Sequence, residues 1–222
     1  MKKLQSSAND PLGIFNRLVD DNFQLDLLKA VISQYEASYV HCCEVFAPAA
    51  REDILPYYRR AKIENVLEDL ANQHESCSVK IEKNLARNCC HSLMFLGERI
   101  ALTQSKVEKR GSLPRDAEFR GSYARSPQMV FDFVREELDS TQSDDAVLYG
   151  IIVHSPQEIE RFPRFVDIVF PDSQYEYLLD KIPLMEKFPD IVAQFHPEEE
   201  DIKSEADEKV QLRSSSSDVV NA

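Results

Sequence analysis

Glycine is nearly absent from this chain: five residues in 222. That argues against the glycine-rich loops that cradle phosphates at a helix start. It also speaks against an all-β fold, which needs many tight turns. No run approaches the roughly 18 apolar residues of a membrane span, so no membrane partner is expected. The residues after Met1-Lys2-Lys3 hold no apolar stretch of the kind a secretory signal requires. Cysteine is sparse and odd in number, five in all, as Cys42-Cys43, Cys77 and Cys89-Cys90. Without a signal segment these read as reduced thiols of a soluble, cytoplasmic protein. Internal repeats are lacking, and Ser214–Ser217 is the one low-complexity run. No catalytic or cofactor motif stands out, so no cofactor is expected.

What the chain does have is apolar residues enough for a core, 43% against 29% charged, and charge that is sorted along its length. The whole carries −13, yet residues 76–125 hold ten Lys and Arg against five acids. The flanking segments 1–75, 126–196 and 197–222 are all net acidic. A basic island in an acidic chain suggests one surface built for an anionic partner, or for the chain's own acids.

Helix signals dominate the first third. Asp10-Pro11 pairs an N-cap with proline at the first helical position, predicting a short helix over 11–19. Phe23, Leu27, Ala30, Val31, Tyr35 and Tyr39 step by three and four toward residue 45, and Pro48 interrupts. Ile54, Tyr57, Tyr58, Ala61, Val66 and Leu70 predict another helix over about 50–73, with Pro56 early in it or kinking it. Two long antiparallel helices follow.

Strand signals begin near Ser76. Val79 and Ile81 alternate with charged neighbours, a half-exposed strand. Ser92–Leu96 and Ile100–Thr103 flank Gly97 as a hairpin, with a helix over 88–96 as the alternative. Residues 105–124 look like a long, basic, irregular connection. Ser126-Pro127 starts a helix to about 139. Residues 146–153 and Phe165–Phe170 are apolar enough to be strands buried on both faces. Ser155-Pro156-Gln157-Glu158 has capping-box spacing and suggests one helical turn. Asp172 is expected to open a helix through Tyr175, Leu178, Leu179 and Ile182. The fold class is therefore α+β: a helical N-terminal half packed with a small mixed sheet and one or two covering helices. A flexible stretch at 1–9 precedes a single domain over 10–196, with a sub-boundary near 75 as the alternative. The acidic, serine-rich tail 197–222 cannot bury enough apolar surface to order itself.

Three constellations invite chemistry. His41, Cys43, Cys89 and His91 form a mirrored His/Cys set that a tetrahedral metal would suit, but adjacent cysteines diverge on a helix or strand. Buried cysteine acting as a small hydrophobe is the commoner case, and no metal is expected. His154, Asp167 and Asp172 are the candidate catalytic set of a hydrolase or nuclease. An acid inside an apolar strand needs a partner or an edge to face, and His154 would neighbour Asp167 if the two strands pair. Third, Arg110, Arg115, Arg120 and Arg125, with Phe119 and Tyr123 interleaved, are the candidate anion- or partner-binding residues. Arginine forks bind phosphates and aromatic rings stack on bases, whereas Phe119 and Tyr123, four apart, also suit the buried face of a helical turn. The expectation is a cytoplasmic, non-catalytic interaction or regulatory protein with a protein partner. A nucleic-acid-associated protein using segment 76–125 is the first alternative, the hydrolase or nuclease the second.

Overall fold

The computed structural model describes residues 10–83, 90–115, 117–125, 148–157 and 161–195. It is an α+β arrangement with the helices first. α1 spans Pro11–Leu18, and the Asp10 carboxylate accepts from the Gly13 N–H at 2.9 Å. α2 spans Asp21–Val45, capped by Asp20, which accepts from the Phe23 N–H at 2.8 Å. These caps satisfy amide donors that a helix start leaves without carbonyl partners. α3 spans Pro48–Gln73, so Pro48 opens a helix rather than merely ending one, and Pro56 sits in its interior. Tyr39 and Cys42 pack on Leu55 near the α2–α3 link, while the Arg59 guanidinium lies 4.4 Å over the Tyr35 ring further along. The two long helices thus run antiparallel.

Six strands follow: β1 (Cys77–Lys83), β2 (Cys90–Leu96), β3 (Ile100–Lys106), β4 (Leu148–Pro156), β5 (Pro163–Pro171) and β6 (Leu178–Pro183). They lie in the order 1-2-3-4-5-6. Every neighbouring pair is antiparallel except β3–β4, which is parallel with Lys106 opposite His154. Gly97 turns the β2–β3 hairpin at φ +57°, a left-handed value that favours glycine. A parallel pair needs a crossover. This one carries α4 (Glu118–Arg125), so residues 105–124 are not irregular throughout: β3 runs to Lys106 and α4 begins at Glu118.

Alternation along the strands builds two cores. Met94, Ile100, Leu102, Ile152, Val166, Ile168 and Phe170 face α1–α3 in one apolar cluster that runs from Phe15 to Leu184. Leu93, Ala101, Tyr149, Ile151, Val153, Phe165 and Val169 face the other way, against Tyr123 and Ala124 of α4. Both faces being covered is why β4 and β5 read as continuous apolar runs. Two short helices, α5 (Leu184–Lys187) and α6 (Pro189–Phe195), close the first face with Leu184, Met185 and Ile191.

Two expected helices are corrected. Residues from Asp172 do not form a helix: its carboxylate accepts from the N–H groups of Glu176 and Tyr177, closing a turn with Tyr175 at φ +60°. Leu178–Pro183 then runs as β6, with Ile182 buried and Leu179 outward, because β5 gains ladder bonds on that side. Ser155 and Pro156 extend β4 with a register shift instead of starting a helical turn. The helix expected at 126–139, strand residues 146–147, and the segments 1–9 and 197–222 lie outside the described residues.

Candidate functional site

Where β3 and β4 end side by side, a cleft of about 660 Å³ opens across the strand ends. Its walls come from both faces of the sheet, since Gln104 and His154 point to the α2–α3 side and Ser105 to the α4 side. Five cations line it: Arg59 and Arg60 from α3, Lys106 from the last position of β3, Arg115 from the loop, and Arg120 from α4. None of its described lining residues is Asp or Glu. Tyr57, 75% exposed, and Phe119 supply aromatic surface.

A buried polar chain forms the floor. The Tyr35 hydroxyl lies 2.7 Å from His154 Nδ1, and His154 Nε2 lies 3.1 Å from Gln104 Oε1. Gln104 Nε2 donates to Glu64 Oε1 at 2.6 Å, and the Ser92 N–H donates to Glu64 Oε2 at 2.7 Å. A carboxylate only accepts, which fixes the Gln104 amide with its oxygen toward His154. His154 Nε2 therefore carries the proton, and Nδ1 accepts from Tyr35. Burial, then Arg59 and Lys106, hold the His154 pKa down to about 3, so the ring is neutral. Burial raises the Glu64 carboxyl, against the opposing pull of the Ser92 N–H, Gln104 and Arg60.

His91, 5% exposed, forms a side wall. Its ring stacks on Phe119 with centroids 3.9 Å apart and planes 17° from parallel. Nε2 lies 3.3 Å from the Tyr123 hydroxyl, which in turn donates to Glu82. Burial lowers the His91 pKa, and Glu82 pulls the other way. Burial works to raise the Glu82 carboxyl, but Tyr123 and Lys80 outweigh it and it titrates below its ordinary value. Arg120 is braced by the Arg115 carbonyl and Ser105 Oγ, each at 3.1 Å, and its buried Nε has no hydrogen-bond partner among the described residues. Arg60 donates to the Cys90 carbonyl at 3.1 Å.

The expected catalytic set is not brought together. His154 is in the cleft floor, opposite Val166. Asp167 is opposite Val153, one residue out of register and therefore on the other face of the sheet. Asp172 is in an exposed turn. Asp167 is fully buried on an interior strand, and Arg110 grips it bidentately at 2.8 and 2.9 Å while also meeting Glu186. Arg110 is thus engaged within the fold rather than offered to a partner. Arg115 and Arg120 do line the cleft, and Arg125 is exposed at the end of α4. In the mirrored His/Cys set, His41 stacks on Tyr58 and Cys43 Sγ accepts from Arg51 at 2.9 Å, while His91 belongs to the cleft. Cys89 lies outside the described residues. No group of three His, Cys, Asp or Glu able to hold a metal occurs among the described residues. Sequence reasoning missed Arg59 and Arg60 as site residues, whereas Lys106 belongs to the basic segment 76–125 that it weighed. The one signal for the arginines was Tyr57-Tyr58-Arg59-Arg60, two aromatics beside two cations in an otherwise acidic segment.

No family model, curated protein or solved structure matches the chain. Among the described residues, no helix is long and apolar enough to cross a membrane.

Proposed function

We propose that this is a cytoplasmic, non-catalytic binding protein whose ligand is a nucleotide unit, free or within a single strand. Its phosphate is held by the cleft's cations and its base lies on the aromatic rim. The lining carries this reading: five Lys and Arg with no carboxylate among the described lining residues, in a chain of net charge −13. A cleft whose walls carry charge of one sign draws an anionic ligand toward it. Arginine forks match phosphate oxygens, and exposed rings such as Tyr57 stack on any base.

Size narrows the ligand. A cleft of about 660 Å³ falls within the roughly 300–1,000 Å³ of small-ligand sites, which suits one or two nucleotides and not a duplex. The acidic remainder of the chain repels a long polyanion, whereas charges inside the cleft act within the screening length of about 8 Å at physiological salt. The hydrolase reading lacks support: both ring nitrogens of His154 are engaged, and Asp167 lies on the far face.

The test titrates adenosine monophosphate, a single-stranded pentanucleotide and a short duplex against the protein at about 0.05 and 0.2 M salt. Binding of the first or second, weakened by salt and abolished in Arg60→Ala with Arg115→Ala, supports the reading, and their ratio tells a free nucleotide from a strand. Absence of binding by all three at low salt overturns it and returns the chain to the protein-partner reading.

A further inference from the structure

The two edges of the sheet differ in what they offer. β6 closes one edge, where the Asp180 carboxylate takes the Lys181 N–H at 2.8 Å and Pro183 has no N–H to give. Charges and prolines on an edge strand guard it against pairing with another chain. β1 closes the other edge, and its donors are open. Its register with β2 is unbroken, and the Gly97 N–H donates to the Ser76 carbonyl at 2.7 Å, which makes Ser76 and Gly97 a hydrogen-bonded pair. Antiparallel bonding alternates along a strand. Ser78, Lys80 and Glu82 therefore bond to β2, while Val79, Ile81 and Lys83 turn their N–H and C=O groups outward. No described strand pairs with that outer side. Ile81 is 57% exposed, a large apolar side chain on an open ladder.

The charges on β1 say what fits against it. Pairing with β1 of a second copy runs antiparallel about a two-fold axis, and its hydrogen-bonded positions must fall on the odd-numbered residues. An axis at Lys80 or at Glu82 sets like charges directly opposite, which is unfavourable. An axis at Val79 calls on the Cys77 N–H, which the His74 carbonyl already holds at 2.8 Å. An axis at Ile81 meets every condition. Ile81 then faces Ile81 of the second copy, Val79 faces Lys83, and the outward N–H groups of all three find carbonyls. Lys80 faces Glu82 in two symmetric places, at the non-hydrogen-bonded positions where side chains approach most closely. Lys80 and Glu82 of one chain already lie 3.3 Å apart, so two copies gather cations and carboxylates in alternation.

We propose that β1 is a dimerisation edge: two copies of the chain pair antiparallel about Ile81 and join their six-stranded sheets into one. The self-complementary order of Lys80, Ile81 and Glu82 favours a second copy over an unrelated strand. The inference does not rest on the reading of the cleft.

The experiment is sedimentation equilibrium of the full chain from about 1 to 300 μM, a range that brackets micromolar affinity. Wild type is expected to pass from monomer to dimer within it. Ile81→Pro removes an N–H that the chain's own ladder does not use, a placement an edge strand tolerates, and is expected to remain monomeric. Lys80→Glu sets two carboxylates opposite each other in both symmetric places and is expected to weaken the dimer about tenfold. A wild type that is monomeric throughout overturns the proposal. So does a dimer that Ile81→Pro leaves intact, because the contact then lies elsewhere. A dimer lost in Ile81→Pro but unchanged in Lys80→Glu overturns the register about Ile81. Should the proline variant fail to fold, Ile81→Lys, a change at an exposed side chain that sets two cations against each other at the axis, takes its place with the same expected loss.

Discussion

The Tyr35 hydroxyl donates to Nδ1 of His154 across 2.7 Å, tying α2 to β4 beneath the cleft. The chain continues through Gln104 on β3 to Glu64 on α3. Four elements that meet mainly through apolar contacts are thereby held in one relative position by donors and acceptors that all have partners. A satisfied buried network specifies a packing more sharply than apolar contact does. Here it fixes the floor on which the cationic side chains stand.

Neutral His154 makes stability depend on pH. Its folded pKa of about 3 lies below the ordinary value near 6.5. Between those values the unfolded chain takes up a proton that the folded chain refuses. The stabilisation is complete above about pH 6.5 and declines as pH falls, by up to about 1.4 kcal/mol per pH unit. Glu64, with its carboxyl raised, works in the opposite direction, so comparison with a variant isolates the histidine. Urea unfolding at about pH 7 and 5.5 should show wild type losing about 1 kcal/mol more than His154→Gln. Equal losses would show that His154 is protonated in the folded state.

Arg110 and Asp167 should behave as a unit. Asp167 is fully buried, and Arg110 meets both of its oxygens. Arg110→Met strands a carboxylate in the core and should cost about 3 kcal/mol in denaturant unfolding. Adding Asp167→Leu should restore most of that loss, since the charge that needed a partner is gone. A double variant no more stable than the single one would mean that the pair holds its surroundings through shape and not charge.

The fold was largely readable where one local pattern had one meaning. Three-and-four spacing marked α2 and α3, and continuous apolar runs marked β4 and β5. β6 escaped because Leu178, Leu179 and Ile182 fit either period and Asp172 caps a turn as readily as a helix. The cleft was illegible for a different reason. Its cations come from segments of opposite net charge, Arg59 and Arg60 from an acidic stretch and Lys106, Arg115 and Arg120 from the basic one. His154 stands out in the sequence and does line the cleft, but the partner expected for it faces the other way, a one-residue matter of register.

Gly150 on β4 lies between Leu102 of β3 and Phe170 of β5, whose side chains fill the space over it. A Cβ there would lie 2.8 Å from Leu102 Cδ2 and 3.1 Å from Phe170 Cε1, both in the buried core. Gly150→Ala should therefore destabilise by about 1–3 kcal/mol, the usual range for overpacking. Thermal or urea unfolding reads this directly. A neutral or stabilising result would mean that Leu102 can change rotamer at no cost.

The four arginines that stand out in the basic segment should separate by role. Arg110 is bound to buried Asp167, Arg115 and Arg120 line the cleft, and Arg125 is exposed on the last turn of α4. Arg115→Glu and Arg120→Glu should weaken oligonucleotide binding, each lowering the slope of log affinity against log salt by about 0.7 for every phosphate left without its cation. The effect of Arg115→Glu on stability should stay near the roughly 0–1 kcal/mol of exposed charges, while Arg120→Glu, which replaces a side chain whose Nε is buried, should cost more. Arg125→Glu should leave the slope unchanged, because its long-range field is screened within about 8 Å at physiological salt. Arg110→Met should do the reverse of Arg115→Glu, lowering stability while leaving affinity intact at temperatures where the variant is folded. The informative comparison is Arg115 against Arg125: both are exposed cations of the same segment, and only one faces the cleft. Equal reductions in affinity from the two reversals would mean that the ligand responds to the segment's net charge, and the cleft would forfeit its claim to be the site.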